Sequence, residues 1–168
     1  MLTLNQKRQT HINELAIKLN CRLVQQANMP GMMFVEFGYI EGPIIENQIH
    51  YLTMLHELGH QFNGHTQGRP PHSDKTHYFD NGVLKSEAEA WDYCLNNCDE
   101  EIEDASRTFM WDYCLGSYYR HAVLYGDKPC KLLNGDRGYV EFIWDKPDDF
   151  FIGVVNRITG NDMFLKKA

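Results

Sequence analysis

Residues 47–64 read NQIHYLTMLHELGHQFNG, and the pattern of these residues predicts one long helix. It contains no proline, and apolar residues recur in it at steps of four, three and four. These residues are Tyr51, Leu55, Leu58 and Phe62. Such spacing predicts an amphipathic helix with one apolar stripe facing the core. At about 100° per residue, His56 and His60 fall on the opposite face, so we expect both imidazoles to point together and away from the core.

The same helix carries the motif H-E-x-x-H in His56, Glu57 and His60. Two histidines at i and i+4 can bind one zinc ion from a single helical face, and the intervening glutamate can serve as general base on a zinc-bound water. The motif therefore predicts a hydrolase of the metallopeptidase class, with His56 and His60 as metal ligands, Glu57 as the catalytic residue and one Zn²⁺ per chain as cofactor.

A catalytic zinc site needs a third protein ligand. A metzincin continuation would require Gly at position 63 and His at position 66, where the chain has Asn63 and Thr66. A deformylase-like cysteine is not found either, because Cys21 lies in the sequence Asn-Cys-Arg-Leu. The remaining option is a carboxylate from a following helix.

Residues 86–94 read SEAEAWDYC and supply two such carboxylates. Ser86 and Glu89 have the spacing of a capping box, which predicts that a helix begins there and runs to about Cys98. Glu87 shares its face with the small residues Ala90 and Cys94, which would let a neighbouring helix approach closely. We therefore predict Glu87 as the third ligand in preference to Glu89. Three other histidines are weaker candidates and are better explained as surface residues: His65, His72 and His77.

The rest of the chain predicts an α+β fold in a single domain spanning residues 1–168. We expect a small mixed or antiparallel sheet packed against the metal-binding helix, and a mainly helical C-terminal half. Two further helices are predicted, over residues 5–20 and 99–126. Strands are predicted over residues 21–25, 32–40 and 44–46, and a loop over residues 67–85. Residues 138–144 and 150–158 are predicted as strands or irregular buried segments.

The composition of the chain argues against nucleic-acid-binding, disordered and membrane-spanning proteins. The chain has 168 residues and a net charge of −7, which disfavours non-specific nucleic-acid binding. Its hydrophobic fraction of 43% is too high for a disordered chain, and no apolar run approaches the length that spans a bilayer. No secretory signal is visible at the N-terminus, and five cysteines without a second close pair are expected to be free thiols. These features predict an intracellular protein that binds neither nucleic acid nor membrane.

In HELGH and SEAEAWDYC the chain resembles the ImmA/IrrE family of intracellular zinc peptidases, which are gluzincin-type zincins. The second helix of that family typically reads E-x-E-A-N-x-F-A, and its first glutamate completes the zinc site. The resemblance implies His56, His60 and Glu87 as ligands and Glu57 as the catalytic group. It covers about residues 40–95, and it departs from the family pattern at Trp91, which replaces Asn, and at Tyr93 and Cys94, which replace Phe and Ala.

The resemblance further implies a zincin-like minimal metallopeptidase fold, a cytoplasmic location in a bacterial or phage-infected cell, and a protein substrate. Zincin peptidases bind substrate as an added strand, which would place it along residues 33–39 or 44–46. The pair Gly64 and His65 is also similar to the zincin domain of plasmid antirestriction proteins, which join HELxH to a Gly-His pair and a downstream acidic helix. The alternative function is therefore a phage or plasmid antidefence protein that acts by partner binding, with a structural metal.

Overall fold

The computed structural model describes residues 1–27, 35–36, 38–65, 81–125, 129–131, 137–139 and 149–161. Its helices are α1 (Leu4–Lys18), α2 (Gln48–Phe62), α3 (Asn81–Asn97), α4 (Asp104–Thr108), a π-helical segment (Phe109–Leu115), α5 (Gly116–Tyr125) and α6 (Asp149–Thr159). Its strands are β1 (Arg22–Gln26), β2 (Val35–Glu36), β3 (Tyr39–Pro43), β4 (Pro129–Lys131) and β5 (Arg137–Tyr139). The fold is mixed α+β and mostly helical, which confirms the predicted class.

The described residues fall into two compact units. The described residues within Met1–Gln67 and Glu89–Ser106 form the first unit. Those within Gly68–Ala88 and Arg107–Ala168 form the second unit. The first unit contains β1, β2, β3, α1 and α2, together with most of α3. The expectation of a single domain stays a prediction.

The sheet of the first unit has the strand order β1-β3-β2. β1 pairs with β3 in parallel and β2 pairs with β3 antiparallel, so the sheet is mixed. Its central strand packs against α2, and α1 covers both α2 and β1. Ile40, the second residue of β3, is completely buried. The sheet thus supports the helix that carries the H-E-x-x-H motif.

The predicted third strand at residues 44–46 is wrong, because β3 ends at Pro43. The Ile44 amide still donates to the Gln26 carbonyl of β1, at 3.2 Å, but the bonds of Glu46 go to helices. The Glu46 carbonyl accepts a hydrogen bond from Asn5 Nδ2, at 2.9 Å, and the Glu46 amide donates to His50 Nδ1, at 3.3 Å. Residues 44–46 therefore leave the sheet after Ile44 and lead into the N-terminus of α2.

α2 begins where the sequence predicts. Asn47 is the N-cap residue, and its side chain accepts a hydrogen bond from the amide of His50, at 2.9 Å. Tyr51, Leu55 and Leu58 are completely buried, but Phe62 is 61% exposed and does not extend the stripe.

The expectation that the histidine face of α2 points away from the core is wrong. His56 is 6% exposed and Glu57 is 7% exposed, and Met54 on the same helix is fully buried. α2 is therefore enclosed on most of its circumference, because α3 covers the face that the periodicity assigned to solvent.

α3 starts at Asn81, five residues before the predicted N-cap. Ser86 and Glu89 lie inside it, so they form no capping box, and the predicted loop at 67–85 overlaps its first turn. The helix extends upstream because Leu84 continues the apolar stripe of Ala88 and Trp91, and all three are buried. The rest of that loop prediction, including His72 and His77, lies outside the described residues.

Two further predictions in the C-terminal half are corrected. The helix predicted from residue 99 begins at Asp104. Residues 150–158, predicted as a strand or irregular segment, lie within α6, whose buried residues have helical spacing: Phe151, Val154, Val155 and Ile158. Of the predicted strand at 138–144, residues 138 and 139 lie in β5, and residues 140–144 lie outside the described part of the chain. No helix in the described part is long and apolar enough to cross a bilayer.

Candidate metal centre

His56 and His60 lie one turn apart on α2 and bring their Nε2 atoms within 3.1 Å of each other. Their rings meet edge to face, with centroids 4.6 Å apart. Two nitrogen ligands of a tetrahedral zinc ion, each about 2.0–2.1 Å from the metal, are separated by about 3.3 Å. The spacing of the two imidazoles therefore fits a shared divalent ion such as zinc.

Glu57 completes a compact group with the two histidines. One ligand atom from each of the three residues lies within 4.8 Å of the others, and Glu57 Oε1 is 4.0 Å from His56 Nε2. Among the residues with described side chains, these three form the group of His, Cys, Asp or Glu residues whose ligand atoms lie close enough together to hold a metal ion. The structure thus brings together the three motif residues that the sequence singles out.

α3 approaches α2 very closely beside this group. The Trp91 ring lies on the His56 ring, with centroids 4.2 Å apart and planes inclined by 32°. One turn on, the Cys94 thiol donates to the Leu52 carbonyl oxygen, at 3.4 Å. The small residue at Ala90 allows this approach, as the sequence predicts. Trp91, where the resembled family has Asn, thus forms a wall of the site.

His65 and Glu89 extend the cluster on its other side, and sequence reasoning missed this arrangement. His65 Nδ1 is 3.0 Å from His60 Nδ1, and His65 Nε2 is 3.6 Å from Glu89 Oε2. The side chain of His65 is only 15% exposed, so the prediction of a surface histidine is wrong. Glu89 faces this histidine and has no capping role.

A local signal for the position of His65 is present in the sequence. Gly64 follows Asn63, the C-cap residue of α2, and adopts φ +70°, the left-handed conformation that commonly ends a helix. The chain therefore folds back, and the His65 amide donates to the His60 carbonyl, at 2.9 Å. A histidine directly after a helix-terminating glycine is thus placed against the last turn of that helix.

Glu87, the predicted third ligand, lies on α3 and is partly buried. It belongs to the second compact unit, whereas the motif residues belong to the first. Its role as a ligand stays a sequence-based prediction.

A buried polar network fixes the N-terminal half of α2. Arg8 donates to Glu100 through Nε and a terminal nitrogen, and Gln48 Nε2 donates to the same carboxylate, at 2.7 Å. Tyr51 donates to Asp99, at 3.0 Å, and burial together with this bond raises its pKa. The hydrogen bond to Glu100 likewise raises the pKa of Arg8. These bonds tie α1 and residues 99–103 to the helix that carries the motif.

We found no match to this chain among protein-family models, curated proteins or solved structures. The site residues must therefore be interpreted from their own chemistry and geometry.

Proposed function

We propose that the protein is a zinc-dependent peptidase of the H-E-x-x-H type, with a zincin-like arrangement around α2. The observation that carries this proposal is the 3.1 Å approach of the two Nε2 atoms beside the buried carboxylate of Glu57. A purely structural metal site has no use for a glutamate at this position, whereas a hydrolytic site requires a base there.

His56 and His60 would hold the metal through Nε2, and Glu87 is the carboxylate that we propose as the third ligand. A zinc ion bound by these residues would supply a Lewis acid that can activate a water molecule and polarise a substrate carbonyl. Glu57 would accept the proton of the attacking water on its carboxylate and then deliver it to the leaving amine. The low exposure of Glu57 keeps bulk water from competing for that proton.

We propose an extended peptide as substrate, added to the sheet along β2. In the described part of the sheet, β2 lies at an edge and β3 is central, so residues 35–36 can accept a further strand. The other segment considered, residues 44–46, is not a strand. Of the two predicted binding edges, only the one within residues 33–39 therefore remains.

The test combines zinc content with turnover. Wild type and Glu57→Gln are purified without added metal, analysed for zinc, and incubated with a proteome-derived peptide library whose new termini are read by mass spectrometry. We expect about one zinc per chain in both proteins, and new termini only with wild type. A wild type that binds no zinc after reconstitution, or a Glu57→Gln variant with full turnover, would contradict the proposal. Zinc in both proteins without cleavage would favour the partner-binding alternative.

A further inference from the structure

We infer that His65 and Glu89 form a positioning pair that fixes the orientation and tautomer of His60, an inference that rests on the proposed function of the site. His60 uses the two edges of its ring differently. Its Nε2 faces His56 Nε2 at 3.1 Å, and its Nδ1 faces His65 Nδ1 at 3.0 Å. His65 thus lies on the opposite edge of the His60 ring from the proposed metal, and it acts through His60 rather than as a ligand.

The hydrogen-bond requirements of the three side chains select one set of proton positions. A ligating Nε2 must offer its lone pair, so neutral His60 carries its proton on Nδ1. That N–H donates to His65 Nδ1, which leaves the His65 proton on Nε2. His65 Nε2 is the atom that faces Glu89 Oε2, at 3.6 Å. A carboxylate at this end therefore favours the tautomer that keeps His60 Nε2 available.

The backbone holds both members of the pair in place. The left-handed turn at Gly64 and the bond from the His65 amide to the His60 carbonyl fix His65 against the last turn of α2. Asn63 Nδ2 donates to the Gly59 carbonyl, at 2.8 Å, and to the Glu89 carbonyl, at 3.4 Å, and so links the end of α2 to α3. The Glu89 side chain is 28% exposed, so the pair is partly shielded from water.

The first experiment needs no metal. Two-bond ¹H–¹⁵N correlation spectra of metal-free protein report which nitrogen of His60 carries the proton. We expect the Nδ1–H tautomer in wild type and in His65→Gln, which retains an acceptor, and a shift toward Nε2–H in His65→Phe. The matched control is His50→Phe, which removes a histidine from the first turn of the same helix and should leave the His60 signal unchanged. The same His60 tautomer in wild type and His65→Phe would overturn the inference.

The second experiment measures zinc affinity by competition with a chromophoric chelator. Loss of a residue that orients a metal-binding histidine typically weakens binding about 10- to 100-fold, which we expect for His65→Phe. Glu89→Gln and His65→Gln should lose less, and His50→Phe should match wild type. Equal zinc affinity in wild type and His65→Phe would also overturn the inference. If wild type binds no zinc, the proposed function fails, and the His60 tautomer alone still decides whether the pair exists.

Discussion

Gly59, inside the H-E-x-x-H motif, lies directly against the backbone of Ala90 on α3. A Cβ atom at position 59 would be 2.5 Å from the Ala90 carbonyl oxygen and 2.8 Å from its Cα. Both atoms belong to a helix backbone and cannot rotate away. The close packing that puts Trp91 on His56 therefore depends on a glycine between the two motif histidines.

Gly59→Ala should destabilise the protein although alanine is the better helix former. Forcing a methyl group into this contact should cost about 1–3 kcal/mol, which outweighs the roughly 1 kcal/mol by which alanine favours a helix. Because the two helices must separate, the variant should also bind zinc more weakly. Urea denaturation and zinc titration measure both effects.

The matched control is Gly153→Ala in α6, where a Cβ atom would meet nothing within 4 Å. Here the helix propensity should dominate and raise the free energy of unfolding by up to about 1 kcal/mol. If both variants change stability in the same direction, the close approach of Gly59 to Ala90 does not control packing.

The sequence predicted α2 and its motif well because the apolar periodicity and the absence of proline over residues 47–64 both indicate one helix. It did not predict what surrounds the motif. Helical phase identifies the faces of a helix but not how many of them are covered, so the burial of His56 by Trp91 was missed. The pairing of His65 with Glu89 was missed for a related reason, since it joins a residue that follows the end of α2 to a residue of α3.

The error at α6 has a different cause. The segment from Asp149 to Thr159 is rich in aromatic and β-branched residues, which favour strands. Its apolar residues at 151, 154, 155 and 158 nevertheless repeat with the spacing of a helix face, and all of them are buried. The helical spacing of the buried residues therefore outweighed the intrinsic preference of these residue types for strands.

Glu100→Ala should be among the more destabilising single changes in the first unit. It would leave the guanidinium of Arg8, which is 6% exposed, without its carboxylate. Breaking a buried ion pair costs about 3–5 kcal/mol, and the partial exposure of Glu100 places our expectation near the lower value. The double variant Arg8→Met, Glu100→Leu should cost less than Glu100→Ala because it leaves no buried charge. The midpoints of urea denaturation measure the stability of both variants. A double variant that is as unstable as Glu100→Ala would contradict this explanation.

Gly116→Ala should disrupt the π-helical segment Phe109–Leu115. The Gly116 amide donates to the carbonyl of Trp111, five residues earlier, and a Cβ atom there would lie 2.9 Å from Trp111 Cδ2 and still closer to its carbonyl oxygen. We expect a loss of about 1–3 kcal/mol and altered tryptophan emission. Ser117→Ala, the neighbouring control, loses one hydrogen bond to the Cys114 carbonyl but gains helix propensity, so it should stay within about 1 kcal/mol of wild type. Wild-type stability in Gly116→Ala would show that the π-helical turn tolerates a side chain.

Stability should fall as the pH rises above about 9. Burial raises the pKa of the Cys21 thiol from 9.0 to about 11, so the unfolded chain loses this proton before the folded chain does. The contribution is therefore fully present below pH 9 and is lost as the pH rises through 11. The raised pKa of Tyr51 acts in the same direction. Urea midpoints from pH 7 to pH 10.5 should decline, and less steeply in Cys21→Ala; equal slopes would contradict the raised pKa of the partly buried Cys21 thiol.

The proposed third zinc ligand can be tested by comparing two neighbouring carboxylates on α3, Glu87 and Glu89. Glu87→Gln should lose most of the zinc because it removes a proposed ligand, and no other residue of the chain is assigned to that position. Glu89→Gln should retain zinc with weaker affinity, because Glu89 acts through His65 and His60. Elemental analysis of both variants beside wild type, after the same dialysis, makes the comparison. Full zinc in Glu87→Gln with loss in Glu89→Gln would reverse the two roles and make Glu89 the ligand.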